Sequence, residues 1–141
     1  ERKLSLGHLA HNGIRIIHEG GQNQNQFPIA KYADHLRLSK ISINFSKPVF
    51  DEPNYQCKGR TMEIALCGAL LIEQKNPETP IWFVPGLDYV EFESDSDLLD
   101  KVNYYLSHET ELSEIANNGC YKATSQFSAV NYWNRIFERL L

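Results

Sequence analysis

The sequence predicts an α/β fold in which a parallel sheet of about four strands is flanked by helices. Segments with the apolar spacing of helices alternate along the chain with short apolar or β-branched segments. Parallel strands need long crossover connections, and a helix is the usual one. The length of 141 residues suits one domain, 1–141, with a sizeable core.

Four segments have the composition of strands. Segment 13–21 is rich in Ile and ends in two glycines, and 41–46 alternates Ile, Ile and Phe. Segment 69–74 is mostly a continuous apolar run, whereas 88–94 alternates apolar and polar residues. A further apolar segment, 81–84, is expected to form either a short extra strand or a buried patch.

Six segments have the pattern of helices. They are Arg2–His11, 29–39, 60–67, 94–108, 109–122 and 129–141. The first is expected to stop at Asn12 and Gly13, because both residues tolerate the left-handed conformation of a helix end. In the third helix, Met62, Ala65 and Leu66 are the expected core positions.

Charge and composition exclude several classes of function. The net charge of −4 and the isoelectric point near 5.7 argue against a broad surface for nucleic acid or anionic lipid. The apolar run at 65–72 is far shorter than the roughly 20 residues of a membrane span. The three cysteines form no C-x-x-C pair, which favours reduced thiols and a cytoplasmic protein.

The start of the third helix is the candidate binding site. Lys58, Arg60 and Glu63 lie around its first turn, beside Gly59 and Thr61, whose backbone N–H groups are expected to be accessible. Ligands of parallel α/β sheets bind beyond the carboxyl ends of the strands, and a helix start there attracts phosphate. The alternative is a surface Arg60–Glu63 pair, worth only about 0.2–0.5 kcal/mol.

His18 is a second candidate, because it ends the predicted first strand just before Gly20 at the same sheet edge. A plain histidine at a strand end is the alternative. His8 and His11 share a helix face, but two ligands without a third do not make a metal site. Glycine-rich fingerprints for a P-loop or a dinucleotide are absent, and no cofactor is expected.

Asp95 and Asp97 form a D-x-D pair that could hold a metal ion. They stand directly before an amphipathic helix, where acidic and hydroxyl side chains satisfy free N–H groups. The sequence therefore favours capping, and no metal site is expected.

Six segments, in this order and spacing, resemble the C-terminal domain of two-domain GT-B glycosyltransferases. The similarity is to the glycosyl-transferases-group-1 set that includes spore-maturation-type proteins. The matching segments are ISINF at 41–45, R-x-x-E-x-x-x-x-G at 60–68, ALLIEQ at 69–74, GLDYVEF at 86–92, DLLDKVNYYL at 97–106 and NRIFERLL at 134–141.

This resemblance implies a Rossmann-like domain that binds the nucleotide of a nucleotide-sugar. It implies that Glu63 holds the ribose hydroxyls and that Arg60, Gly59 and Thr61 face the diphosphate. Related retaining enzymes carry a second Glu eight positions earlier, where this chain has Tyr55. Retention or inversion of the sugar therefore stays open.

The resemblance also implies partners. A UDP- or GDP-sugar is the expected donor, and an N-terminal acceptor domain is expected elsewhere in a longer chain, so that this domain is catalytically incomplete alone. The last helix has more apolar side chains than one face can bury, which predicts an exposed part that is covered either by pairing with another copy or by refolding of the helix across the domain itself. These side chains are Tyr132, Trp133, Ile136, Phe137 and Leu140. The alternative function is a non-catalytic protein-interaction module.

Overall fold

The computed structural model describes residues 2–18, 28–46 and 56–140, except for the side chains at positions 132, 135 and 140. The described helices are α1 Arg2–His11, α2 Ile29–Leu38, α3 Gly59–Leu66, α4 Asp95–Ser107, α5 Glu109–Gln126 and α6 Ala129–Leu140. The described strands are β1 Ile41–Asn44, β2 Leu70–Gln74 and β3 Val90–Phe92. A short 3₁₀ helix, Thr79–Ile81, lies between β2 and β3.

The three strands form one parallel sheet in the order β1-β2-β3. Asn44 of β1 lies beside Glu73 of β2, and Glu73 in turn lies beside Glu91 of β3. The connection from β1 to β2 contains α3, as a parallel crossover requires. The predicted Rossmann-like α/β class is confirmed, with three strands in the described residues instead of about four.

Helices cover both faces of the sheet, and β2 is buried along its whole length. Leu70 and Ile72 of β2 join one core cluster with residues of α1, β3, α4 and α5. Leu71 points the other way, into a second cluster with α3 and with Phe83. Successive side chains of a strand face opposite sides, so a strand buried on both faces reads as a continuous apolar run.

The predicted stop of α1 is confirmed. Gly13 has a φ of +82°, its N–H donates to the carbonyl of Ala10, and the N–H of Ile14 donates to the carbonyl of Leu9. These two bonds form a Schellman motif, in which a left-handed residue satisfies the last carbonyls of a helix.

The predicted strand at 13–21 is wrong over its described part. Residues 14–18 are not assigned to a strand, and 19–21 lie outside the described residues. Ile14 and Ile16 still pack against the first core cluster, whereas the side chain of Ile17 is 55% exposed. The apolar residues of this segment therefore indicate which side chains pack against the core, and they do so although the described part of the segment is not paired as a strand.

Segment 81–84 is not an extra strand either. Ile81 ends the 3₁₀ helix and the chain then turns. Phe83 is fully buried, whereas Ile81, Trp82 and Val84 are exposed. One residue of the expected buried patch is thus confirmed.

Candidate functional site

The start of α3 lies at the carboxyl edge of the sheet, because α3 is the element that follows the end of β1 along the chain. Lys58 is the N-cap residue, and its Nζ donates to the carbonyl of Phe45, just beyond β1. Gly59 is exposed, and a Cβ added there would meet nothing within 4 Å. The predicted edge position of this helix start is therefore present in the structure.

Glu63 is exposed on the second turn of α3 and has a partner from another helix. The hydroxyl of Tyr32 on α2 donates to Glu63 Oε2 at 2.7 Å. Burial raises the pKa of Tyr32, and the bond to Glu63 raises it further, whereas the hydrogen bond and positive charge of Arg60 lower it. Tyr32, Arg60 and Glu63 thus form one polar group. Sequence reasoning missed Tyr32, which lies 31 positions from its partner.

Positive charge is concentrated at this helix start. Burial lowers the pKa of Lys58, and the charges of Arg60 and Arg2 lower it further. The pKa of Arg2 is likewise lowered, first by burial and then by Arg60. Three cations that act electrostatically on one another make the start of α3 locally positive, although the chain has a net charge of −4.

Thr61 differs from its predicted role. Its side chain is fully buried, and its N–H donates to the carbonyl of Lys58 at 2.9 Å, so this N–H is not accessible. The buried residues of α3 are Thr61, Ile64 and Ala65, and the expected core residue Leu66 is 53% exposed. A polar residue occupies the buried face because the sheet offers it a hydrogen-bond partner.

That partner is Glu73, which is not among the site residues predicted from the sequence. Thr61 Oγ1 donates to Glu73 Oε2 at 2.9 Å, and Asn44 Nδ2 donates to Glu73 Oε1 at 3.1 Å. The same Asn44 amide lies 3.2 Å from Thr61 Oγ1. All three side chains are buried, so this polar triad ties the ends of β1 and β2 to the first turn of α3. The available signal was a Glu inside an apolar strand.

Burial raises the pKa of Glu73 to about 6. Hydrogen bonds from Thr61, Asn44 and Thr79 and the charge of Lys58 oppose this shift, because each stabilises the ionised form. The carboxyl group therefore titrates near neutral pH directly beneath the candidate anion site.

Glu73 should make the stability of the fold depend on pH. Its pKa is 4.5 without burial and about 6 in the folded protein, so the folded state binds the proton more tightly. This contribution is fully present below about pH 4.5 and is lost as the pH rises through about 6. The difference corresponds to roughly 2 kcal/mol of unfolding free energy.

Urea unfolding of the wild type and Glu73→Gln between pH 4.5 and 7.5 measures this contribution. We expect the wild type to lose roughly 2 kcal/mol relative to the variant as the pH rises. Glu114→Gln, an exposed carboxylate on α5, is the control and should follow the wild type. Parallel curves for the wild type and Glu73→Gln would contradict the assignment.

His18 and Gly20 are the two remaining predicted binding residues. His18 is exposed and lies outside any strand, so its predicted strand-end position is wrong. Gly20 and Tyr55 lie outside the described residues. In the described parts of the chain, no three His, Cys, Asp or Glu side chains are grouped as metal ligands would be.

Capping at the D-x-D pair involves the residue before it. Ser94 is the N-cap of α4, and its Oγ accepts from the N–H of Asp97 at 3.2 Å. Asp97 Oδ2 accepts in return from the N–H of Glu93 and from Lys101 Nζ. Asp95 is the first residue of the helix, where a negative charge interacts favourably with the helix dipole. The predicted capping role thus holds for Asp97, which accepts a backbone N–H, whereas the prediction that Asp95 is a cap residue is wrong, because Ser94 is the N-cap and Asp95 already lies inside the helix.

Cys57, Cys67 and Cys120 are free thiols and all three are half-buried, so the expectation of reduced cysteines agrees with the structure. Their burial is less complete than expected for small core residues. Burial raises the pKa of Cys57 and of Cys67, which keeps both thiols protonated at neutral pH.

Helix α6 leaves an apolar surface uncovered. Trp133 is 54% exposed and Phe137 is 55% exposed, and their rings stack with centroids 6.2 Å apart. Ile136 is half-buried, and the side chains of Tyr132 and Leu140 lie outside the described residues. The expected partial exposure is therefore confirmed for Trp133 and Phe137.

None of the helices in the described residues combines the length and apolar composition needed to cross a membrane. The sequence profile of the family described as Glycosyl transferase-like matches residues 3–138. No curated protein and no solved structure gives a significant match to the chain. The profile covers nearly the whole sequence, including the three described strands and the start of α3. The chain therefore belongs to the glycosyl transferase-like family and forms a glycosyltransferase domain.

Proposed function

We propose that this domain binds the nucleotide part of a nucleotide-sugar donor, of the UDP- or GDP-sugar type, at the start of α3. The observation that carries the proposal is the grouping of Arg2, Lys58 and Arg60 at the carboxyl edge of a parallel sheet, where α3 begins with an exposed glycine. Helix N-termini and nearby cations favour bound phosphate. Membership of the glycosyl transferase-like family supports a donor of this chemistry.

In this proposal, Arg60, Lys58 and the backbone of Gly59 contact the diphosphate. The open space at Gly59 lets phosphate oxygens approach the backbone closely. Thr61 makes no contact with the diphosphate in this proposal, because its N–H and its hydroxyl are already hydrogen-bonded inside the protein. Arg60 supplies charge-assisted hydrogen bonds, which are stronger than neutral ones.

Glu63 accepts hydrogen bonds from the ribose hydroxyls. Its carboxylate is exposed one turn beyond the diphosphate-binding residues, on the face shared with Arg60. Tyr32 donates to one carboxylate oxygen at 2.7 Å and so orients the group. The remaining lone pairs of the carboxylate stay available for a diol.

We further propose that the domain is the C-terminal, donor-binding half of a longer GT-B enzyme in the cytoplasm. An acceptor-binding domain would complete the catalytic cleft, and the isolated domain would be inactive. The exposed Trp133 and Phe137 support a contact with such a domain or with a second copy of this chain. The same surface supports the alternative function, a protein-interaction module without a nucleotide.

Nucleotide titration followed by NMR, with UDP, GDP, ADP, TDP and CMP, tests the donor site. We expect one diphosphonucleotide to shift resonances of residues 58–63. Arg60→Gln and Glu63→Gln should each weaken binding by about tenfold, the equivalent of one charge-assisted hydrogen bond. Both variants should unfold within about ±0.5 kcal/mol of the wild type, as surface substitutions usually do.

Arg37→Gln is the matched control for Arg60→Gln. Arg37 is an exposed arginine near the other end of α3, where its charge acts on Cys67. Its replacement removes the same charge and should leave nucleotide affinity unchanged. An absence of response to all five nucleotides at millimolar concentration would reject the donor site and favour the interaction module.

A further inference from the structure

The buried carboxylate of Glu73 lies directly beneath the cationic start of α3. It accepts hydrogen bonds from Thr61 on the first turn of α3 and from Asn44 at the end of β1. Its residue is fully buried, so its charge acts through protein rather than through water. The charge of this carboxylate would therefore repel any anion that is bound at the start of α3.

Lys58 is the cation that both negative charges would attract. Glu73 acts electrostatically on Lys58, and Lys58 acts on Glu73. The ammonium group of Lys58 donates to the carbonyl of Phe45, on the β1 side of the site. An ionised Glu73 attracts the Lys58 ammonium group and so competes with a ligand for its charge.

Cys57 and Tyr89, two titratable groups that lie near Glu73, stay protonated at neutral pH. Cys57 precedes α3, and burial raises its pKa, with Glu73 adding to the shift and Glu78 adding further. Tyr89 precedes β3, and burial also raises its pKa well above the ordinary value. Glu91, the neighbour of Glu73 on β3, accepts from the Tyr89 hydroxyl at 2.8 Å.

We propose that Glu73 is a positioning residue whose carboxylate competes with a bound diphosphate for the positive charge at the start of α3. This inference rests on the proposed donor site and adds its regulation. Ligand binding is then coupled to a fractional uptake of protons from solvent, each of which forms an O–H bond on Glu73. By reciprocity, a protonated Glu73 raises the affinity for the diphosphate by the same factor. The site therefore binds its donor more tightly in mildly acidic solution.

The test is titration of the wild type and of Glu73→Gln with UDP and with GDP at pH 5.5 and pH 7.5. The terminal phosphate of each nucleotide also changes its protonation between these two pH values. The quantity to compare is therefore the ratio of the affinities of the two proteins at the same pH, in which this effect cancels. We expect the wild type to bind about threefold to tenfold more weakly relative to Glu73→Gln at pH 7.5, with the difference shrinking at pH 5.5. Glu114→Gln, on exposed α5, should behave as the wild type at both values.

The outcomes separate the two proposals. Binding with an affinity ratio that does not change with pH would overturn the role of Glu73 and leave the donor site intact. An absence of binding to both proteins at both pH values would overturn the donor site and this inference with it. A merely structural role of Glu73 would weaken binding in the variant at both pH values equally.

A second measurement keeps the inference testable if Glu73→Gln does not fold. Carbon-13 NMR of the Glu73 carboxyl in the wild type gives its pKa with and without the bound nucleotide. We expect saturation with the nucleotide to raise the pKa by about half a unit to one unit, the same threefold to tenfold factor. An unchanged pKa in the complex would overturn the inference.

Discussion

Gly119→Ala is expected to lower the free energy of unfolding by about 3 kcal/mol, at the upper end of overpacking effects. A Cβ at position 119 would lie less than 3.0 Å from the carbonyl oxygen of Asp88, a separation that real Cβ atoms essentially never show. The carbonyl oxygen that the Cβ would meet belongs to the backbone, so no flexible side chain can move aside. Helix α5 would have to move away from the turn that precedes β3.

That turn is held in place from both sides, which prevents an easy adjustment. Asp88 Oδ2 accepts from the N–H of Val84 and from Lys122 Nζ, each at 2.7 Å. Lys122 lies one turn beyond Gly119 on α5, so the same helix that approaches the turn is also bonded to it. Chemical denaturation at neutral pH measures the loss.

Gly7→Ala is the matched control. Gly7 lies inside α1, is exposed, and has nothing within 4 Å of an added Cβ. The same substitution there should raise stability by about 0.5–1 kcal/mol, because alanine restricts the unfolded chain and favours a helix. Equal changes in stability at both glycines would show that the close approach of Asp88 to Gly119 does not exclude a larger residue at position 119.

Phe83→Ala is expected to lower the free energy of unfolding by about 3–5 kcal/mol, as for other fully buried phenylalanines. The ring of Phe83 is completely buried in the second core cluster, with Ile64 and Leu71. It packs edge-to-face on Phe127 with centroids 5.8 Å apart. Removal of the ring leaves a cavity between the sheet, α3 and α5.

Val84→Ala, at the next position, is the control. Its side chain is 45% exposed, and its N–H bond to Asp88 does not depend on the side chain. We expect a change within about ±0.5 kcal/mol, measured by the same urea denaturation. A loss at Phe83 no larger than at Val84 would mean that this segment does not contribute to the core.

The candidate site was predictable in its local part only. Lys58, Gly59, Arg60 and Glu63 are neighbours in sequence, and their place at a helix start follows from the glycine, the charges and the apolar spacing that comes after them. Tyr32, which orients Glu63, lies on another helix. No local pattern pairs two such residues, because their contact depends on how α2 packs beside α3.

The buried triad shows the same limit. Asn44 and Glu73 are 29 positions apart, and they meet because β1 and β2 pair in a particular register. A shift of that register by one residue would turn one of the two side chains to the other face. Thr61 is buried on the face of α3 that meets the sheet, where the hydrogen bond to Glu73 satisfies its hydroxyl, and Leu66 is left exposed.

The sequence by itself determined the elements whose signals are local. The helices, the Schellman stop of α1 at Gly13, the fully buried strand β2 and the α/β class all follow from spacing within a few residues. Tertiary structure decided whether 14–18 pairs as a strand, which residue of 81–84 is buried and where Glu73 finds its partners. The physical reason is that strand pairing, the buried face of a short helix and the pKa of an internal carboxyl depend on neighbours that are distant in sequence, and only the packed sheet supplies them.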